Sequence, residues 1–565
     1  MRFETERITI PFVSFVSLWL KKTIKITSKK IIKFAETTSI KVKKIIIIGT
    51  RGSDLALWQA NNTKDRLESI GIVTELKIIK TQGDKILNLR LDKLEGKGFI
   101  TKELEEELLN GSIDIAVHSH KDLPTTNPAG LIIAAVTERE DPSELLLILK
   151  DCVDVSQKLS LKKGAMVGTS SNRRKAQLLA LRSDLNIEDL RGNVPTRIQK
   201  LRDEDYDAIL LAKAGVNRLN VDLSEFHVEV VDTTELVPAP AQGALAIQIR
   251  ENDSELFAAL QQLNNTATAE EIAVERKVLN LFEGGCHMPL GCYCKKENGL
   301  FEVWTSKAET GEDFPDRLFL RDESTDGLAE KIVAKFSADR KMPTKVFISR
   351  EIGEHSYFRK ALEKHQIEID GRSLIRTFPI VNILDPFYLK HIDWIFFSSR
   401  NGVEYFFKLK PVLAKKVKFG VVGRGSEDTL RKFGHLADFV GESGDIVEVG
   451  EEFAKQVAGQ TVMFPRAQDS LLSIQKSLGT DTKIVDLPIY ETVTEDNIDG
   501  TAADILIFTS PSNVDAYFVD NLLEPEQKVI AIGNSTGKKF EEMGVKYTLP
   551  YSPDEIGLAE AVFGI

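Results

Sequence analysis

The sequence predicts a multidomain α/β protein, and three observations carry that expectation. A chain of 565 residues is too long for one hydrophobic core and suggests about three to five domains. From Lys44 onward, short continuous apolar runs alternate with amphipathic helical stretches. The C-terminal section also repeats a strand, polar turn and helix pattern.

Taken in order, Ile45-Ile46-Ile47-Ile48-Gly49 reads as a short buried strand ended by glycine. Further strands are expected at Ile113 to Val117, Ala165 to Gly168 and Ala208 to Ala212. Apolar strands separated by helices predict parallel sheets covered on both faces. Residues 264–336 read as a small α+β unit. Its helix is expected to start at Thr268, with Glu271 completing a capping box. Ile272, Leu279 and Phe282 form its apolar face, and Gly284-Gly285 end it. After Lys341-Met342-Pro343 the pattern restarts with Val346-Phe347-Ile348-Ser349-Arg350. There, Phe397-Ser398-Ser399-Arg400-Asn401-Gly402-Val403-Glu404 matches Phe508-Thr509-Ser510-Pro511-Ser512-Asn513-Val514-Asp515. A second pair follows, Val422-Gly423-Arg424-Gly425 and Ile532-Gly533-Asn534-Ser535. Two similar α/β lobes around a cleft are expected; the plainer alternative is that α/β units reuse Ser/Gly turns.

Composition narrows the function classes. A hydrophobic content of 42% with 28% charged residues is ordinary for a soluble globular protein. The net charge of -11 argues against a nucleic-acid binder as a whole. Four cysteines, Cys152, Cys286, Cys292 and Cys294, are too few for a disulfide scaffold and point to a reducing, cytoplasmic compartment. The first 44 residues form a basic extension, with eleven Lys or Arg against three Glu. Its apolar stretch from Ile8 to Leu20, broken by Pro11, is shorter than the roughly 20 residues a membrane-spanning helix needs, so no span is expected. A solvated tail, a targeting peptide and a true start near Val42 all remain open for this segment.

Six segments place polar groups where a packed core would not want them. They are Thr50-Arg51-Gly52-Ser53, Gly96-Lys97-Gly98, the run Val117-His118-Ser119-His120-Lys121-Asp122-Leu123-Pro124, Gly168-Thr169-Ser170-Ser171-Asn172-Arg173-Arg174, Arg191-Gly192-Asn193 with Arg197, and Arg218. Strand carboxyl ends face a common crevice in such sheets, and helix N-termini there attract anions. With several arginines added, the pattern predicts a cleft for a ligand bearing several carboxylates or phosphates. Surface ion pairs are the alternative for any one arginine.

In order and spacing these segments resemble the porphobilinogen deaminase (hydroxymethylbilane synthase) family over about residues 45–310. The resemblance extends to Pro240-Ala241-Gln242-Gly243-Ala244 and Glu283-Gly284-Gly285-Cys286. His120 stands where the family is usually apolar. The resemblance implies a fold of two periplasmic-binding-protein-like α/β domains plus a small α+β domain. It implies that porphobilinogen is polymerised to hydroxymethylbilane with loss of ammonia, that Asp122 is catalytic, and that Cys286 covalently carries a dipyrromethane cofactor. It places Lys121, Ser171, Arg173, Arg174, Arg191, Ser119 and Thr169 at the cofactor, and Arg51, Ser53, Lys97, Arg197 and Arg218 at substrate carboxylates. Gly83 to Gly98 is a candidate mobile lid. Three readings compete: Asp122 as a turn cap, Cys286, Cys292 and Cys294 as metal ligands, and His118 with His120 as a metal pair. No metal is expected.

The section from about 343 to 565 resembles uroporphyrinogen-III synthase, a two-lobed α/β family, through Phe347-Ile348-Ser349-Arg350, Phe508-Thr509-Ser510-Pro511-Ser512 and Leu487-Pro488-Ile489-Tyr490. It implies cyclisation of hydroxymethylbilane to uroporphyrinogen III, with Tyr490 assisting loss of the terminal hydroxyl or simply packing at a strand end. The expected division is 1–44 extension; 45–140 with 238–260, then 141–237, then 264–336 for the deaminase; and 343–378 with 492–565, then 379–491, for the synthase lobes. The partner is a small-molecule substrate, with no nucleic acid and no obligatory protein partner. Two other readings stay open: a two-lobed anion-binding protein without catalysis, and a deaminase with a non-catalytic C-terminal module.

Overall fold

The computed structural model describes residues 45–80, 101–285, 288–337, 341–380, 389–443 and 445–565. Cys286, Lys97, the basic extension and the segment Gly83 to Gly98 lie outside them.

Two five-stranded sheets share one topology. The first runs Thr74–Ile78, Ile46–Thr50, Ile115–Ser119, Leu245–Arg250, Leu131–Val136. The second runs Asn186–Glu188, Met166–Gly168, Ala208–Ala212, Glu144–Ile148, His227–Val231. The expectation of parallel sheets is corrected here: in each, the fourth strand is antiparallel to both neighbours. The cause is connectivity. Glu144–Ile148 and Leu245–Arg250 each begin just after the chain crosses from one sheet to the other. They therefore start at the end where their neighbours finish: Glu144 pairs with Ala212, and Leu245 with Ser119.

The two crossing segments, 137–143 and 232–244, are tied by Thr137 N–H to Leu245 C=O at 3.1 Å and Glu140 N–H to Gly243 C=O at 3.2 Å. Gly243 has φ +94°, and a Cβ there would meet the Glu140 carbonyl oxygen at 2.2 Å, so only glycine fits this crossing. The strand expected at Ile113 to Val117 lies two residues later, because Ile113 and Asp114 pack and bond ahead of the ladder.

The small α+β unit is an antiparallel meander of Leu290–Glu297, Leu300–Lys307 and Asp316–Asp322. The helix Thr266–Leu281 covers it. The expected start at Thr268 is two residues late, since Asn265 is the cap and accepts from Thr268 N–H at 2.9 Å. Glu271 instead accepts from Lys296 N–H. At the other end Glu283, φ +54°, makes the left-handed turn expected of the glycines, and Gly284 N–H closes on Leu279 C=O.

The C-terminal section has two sheets. One is four parallel strands, Glu368–Gly371, Lys345–Ile348, Ile505–Phe508 and Lys528–Ala531. The other has six strands, Ile375–Pro379, Lys483–Thr494, Thr461–Ala467, Trp394–Phe397, Lys418–Val421 and Phe439–Val440. The sequence repeat is structural. Ser399 caps the helix Arg400–Lys408 after one strand, and Ser510 caps Pro511–Asp520 after its counterpart. Gly423 and Gly533 precede the second pair of matched helices, Arg424–Lys432 and Asn534–Glu542. Among the described residues no helix is long and apolar enough to cross a membrane.

Candidate functional site

The first cleft is built where strands end and helices begin. Ser53, Ser171 and Asn193 each follow a strand or turn and cap the helices Asp54–Ser69, Asn172–Leu181 and Val194–Arg202. Their side chains take one N–H each, leaving others of the first turn aimed outward. Gly215 brings two of these starts together, lying against both Leu55 and Val194.

A buried polar chain links the two sheets beneath these termini. Lys121 Nζ donates to Gln242 Oε1 at 3.1 Å, and Gln242 Nε2 donates to Glu144 Oε1 at 3.1 Å. Glu144 is fully buried and accepts from Arg173 at 2.8 Å and Arg174 at 2.6 Å, one oxygen each. Burial alone would raise its pKa, but the two guanidinium groups win and hold it at about 2. Arg173 also donates to Val237 C=O, and Arg174 to Leu210 C=O. The Arg174 Nε is buried with no partner among the described residues. Burial lowers Lys121 to about 8, against the pull of Asp122.

Asp122 itself is exposed, in the short 3-10 turn His120–Asp122. Its charge is felt by Lys121 and by Arg197, whose Nε donates to Gly192 C=O. Ser119 accepts from Gln59 at 2.8 Å, and Thr169 accepts from Ser171 N–H at 3.3 Å. Arg51 and Ser53 stand half-buried at the end of the first strand, and Arg191 is half-buried ahead of the Asn193 cap. From the α+β unit, Arg276 donates to the carbonyls of His120, Leu123 and Pro124, bracing the turn that carries Asp122.

Arg218 does not join this group. It lies in the helix Lys213–Leu219, donates to Gly243 C=O and sits 5.6 Å from the Trp58 ring. It lines a cavity of about 360 Å³ with Arg66 and residues 137–141. The histidine-metal reading weakens as well. His118 and His120 are buried, His118 bonds Gln248, and burial lowers them to about 4 and about 3. Cys292 and Cys294 are core residues whose thiols burial pushes well up.

The second cleft lies between the C-terminal sheets. Arg350 and Arg400 approach from opposite sheets closely enough for Arg400 to add to burial in lowering Arg350 to about 10. Arg350 Nη2 is 3.4 Å from Glu555, and its Nε is buried without a partner among the described residues. Tyr490 is 5% exposed, stacks on Tyr405 at 5.2 Å and places its hydroxyl 2.9 Å from Ser399 Oγ. Burial raises its pKa, so it remains a hydroxyl.

Residues 46–258 match the family model for the porphobilinogen deaminase, dipyromethane cofactor binding domain. The porphobilinogen deaminase of Fusobacterium nucleatum is 47% identical over 256 residues, 45% of this chain and 84% of that protein. This chain belongs to the porphobilinogen deaminase family. The Bacillus cereus deaminase is 45% identical over 261 residues, 46% of this chain and 83% of its own. Residues 356–560 carry a domain matching the model for uroporphyrinogen-III synthase HemD. The solved uroporphyrinogen-III synthetase of Helicobacter pylori matches 38% of this chain and 96% of its own, at 19% identity and a TM-score of 0.27, too low to add to that assignment.

Within a deaminase the geometry identifies three residues that sequence reasoning passed over. Glu144, directly before an apolar run, drew no reading from the sequence. Gln242 lay in a quoted motif without a role. Arg276 drew no reading either. The signal that could have found Glu144 is a lone carboxylate directly before five apolar residues, facing two adjacent arginines elsewhere in the chain.

Proposed function

We propose that this chain joins four porphobilinogen molecules into hydroxymethylbilane with release of ammonia, and then cyclises that product to uroporphyrinogen III. The observation that carries the first half is the exposed Asp122 carboxylate beside Lys121 and Arg197, in a cleft floored by Arg173 and Arg174. A two-lobed anion-binding protein would need neither Asp122 nor a thiol at Cys286.

The residues fit a carboxylate-rich dipyrromethane. The helix start at Ser171, the hydroxyls of Ser119 and Thr169, Lys121, Arg191 and the Arg174 Nε, which has no partner among the described residues, offer donors, and Cys286 would attach it through a thioether. When bound, that group supplies the pyrrole α-carbon to which the first substrate is joined. Arg51, Ser53, Lys97 and Arg197, with Arg218 from the neighbouring cavity, would take substrate carboxylates. As the C–N bond of porphobilinogen's protonated aminomethyl group breaks, the nitrogen keeps the bonding pair and leaves as ammonia. The Asp122 carboxylate stabilises the cationic pyrrole N–H of the resulting azafulvene. The free α-carbon of the growing chain forms the new C–C bond, and its displaced proton passes to Asp122.

In the synthase domain Arg350 and Arg400 would hold substrate carboxylates from the two sides of the cleft. Tyr490, still protonated, would hydrogen-bond the departing hydroxyl. The free thiols of Cys152, Cys292 and Cys294 agree with a cytoplasmic setting.

Intact mass of the denatured protein beside Cys286→Ser tests the primer. An excess of two porphobilinogens less two ammonias, absent from the variant, is the expected result. An unmodified wild type from cells that make porphobilinogen would overturn it.

A further inference from the structure

The deaminase half touches both lobes of the synthase domain, and one side chain joins all three bodies. Arg424 opens the helix Arg424–Lys432 of the six-stranded lobe. Its guanidinium pairs with Asp232 at 2.7 Å and donates to Thr234 Oγ1 at 2.7 Å, both in a crossing segment of the deaminase. The same group lies 3.5 Å from Asp554, which caps the helix Glu555–Gly564 of the four-stranded lobe. Burial works against this cation, but the carboxylates of Glu235, Asp232 and Asp554 outweigh it and raise its pKa.

Each lobe has its own further attachment. In the six-stranded lobe, Arg431 lies 3.4 Å from Glu229 on the edge strand His227–Val231 and donates to Ser160 Oγ at 3.0 Å. The four-stranded lobe is held by the buried pair Arg317–Glu560 at 2.7 Å, and by Asp316 with His365 at 2.7 Å and Lys364 at 2.8 Å. Tyr551 completes the seam against Trp304 and Phe319.

The seam runs one residue away from the cyclising cleft. Gly425, next to Arg424, lies directly against the Arg400 guanidinium. Glu555, next to Asp554, meets Arg350. A shift of either contact therefore moves an arginine of that cleft. Buried charges bonded on several sides also resist sliding, because removing one partner leaves another uncompensated.

We infer that the deaminase half sets the spacing of the two synthase lobes through the Asp232–Arg424–Asp554 bridge, so that the cyclising cleft is fully formed only when docked on it. Arg424 is thus a positioning residue, acting through Arg350 and Arg400. The inference rests on reading the C-terminal domain as a synthase.

The test uses the full chain, with hydroxymethylbilane generated by a separate monofunctional deaminase. In Asp232→Asn the polymerisation rate should stay at the wild-type value. The KM for cyclisation should rise about tenfold, since sub-ångström misplacement of binding groups costs that much or more. The share of uroporphyrinogen I from spontaneous closure should rise with it, and Asp232→Glu should restore both. Arg424→Lys, whose compact ammonium lacks the planar fork that reaches Asp232, Thr234 and Asp554 together, should act in the same direction. A merely structural contact would lower the unfolding temperature without changing KM or isomer share. Wild-type KM and isomer share in both variants would overturn the inference. A wild-type chain that does not cyclise at all would instead overturn the synthase reading beneath it.

Discussion

In the deaminase cleft Arg173 and Arg174 divide one buried carboxylate, Glu144, between them, whereas in the synthase cleft Arg350 and Arg400 face each other with Glu555 and Asp554 to one side. The first pair is half neutralised from within, one carboxylate against two guanidinium groups, and is fixed by that carboxylate before any ligand arrives. The second pair shares no buried carboxylate: Arg350 has a longer contact to Glu555, Arg400 adds a like charge, and substrate carboxylates would relieve both. The difference suits the two tasks. A primer that stays bound through many additions needs a floor that does not move. A substrate that enters and leaves once gains from charges that its own carboxylates relieve.

The most severe break on the deaminase side is Asp122→Asn. It should lower the polymerisation rate by about 10²–10⁴ while leaving stability nearly unchanged, because the carboxylate is exposed and acts on reacting groups. Steady-state rates beside a urea melt check both parts. A comparable rate with asparagine would remove Asp122 from the mechanism.

Glu144→Gln should do the reverse and cost about 3–5 kcal/mol of stability, since it strands two buried guanidinium groups. Primer loading, read by intact mass, should fall with it. If Glu144→Gln proves as stable as the wild type, the floor is not held as described.

On the synthase side Arg400→Gln should raise the KM for hydroxymethylbilane roughly tenfold or more, the worth of a charge-assisted hydrogen bond, with little loss of stability. A loss of stability like that of Glu144→Gln would erase the contrast between the clefts.

Acid should separate the two halves more gently. His118 and His120 have folded pKa values of about 4 and about 3, below an ordinary value near 6.5. Below that value the unfolded chain binds protons that the folded chain refuses, so stability is full above pH 6.5 and falls as pH drops toward 4. Each histidine contributes a slope of up to about 1.4 kcal/mol per pH unit in that window. His118→Gln should flatten the decline in urea melts, and an unchanged slope would assign acid sensitivity to other groups.

The smallest effect is expected of Tyr490→Phe. Losing one hydroxyl contact to Ser399 is worth about 1 kcal/mol, a few-fold in cyclisation rate. A loss of several orders of magnitude would give Tyr490 a proton-transfer role.

Local chemistry made much of this protein legible from sequence. The strand Ala208–Ala212 lies where its apolar run placed it, and Ser399 and Ser510 cap matched helices as the repeat implied. The turn carrying Asp122 and the helix starts at Ser53, Ser171 and Asn193 were readable because capping and strand ending depend on neighbours within a few residues. Strand direction was not readable, since apolar runs bury equally well either way and the crossing between sheets alone reversed Glu144–Ile148 and Leu245–Arg250. Asn265 outranked Thr268 as a cap because both residue types suit the position and only the path of the incoming chain chooses.

Glu144, Gln242 and Arg276 became site residues solely through contacts with partners far away in the chain, and only packing set Arg218 over the Trp58 ring. Sequence thus determined the elements, the polar segments at their ends and the family they resemble. Tertiary structure decided which charges meet in each cleft, because a buried ion pair depends on the distance and solvent exclusion that packing creates, and neither is a property of neighbouring residues.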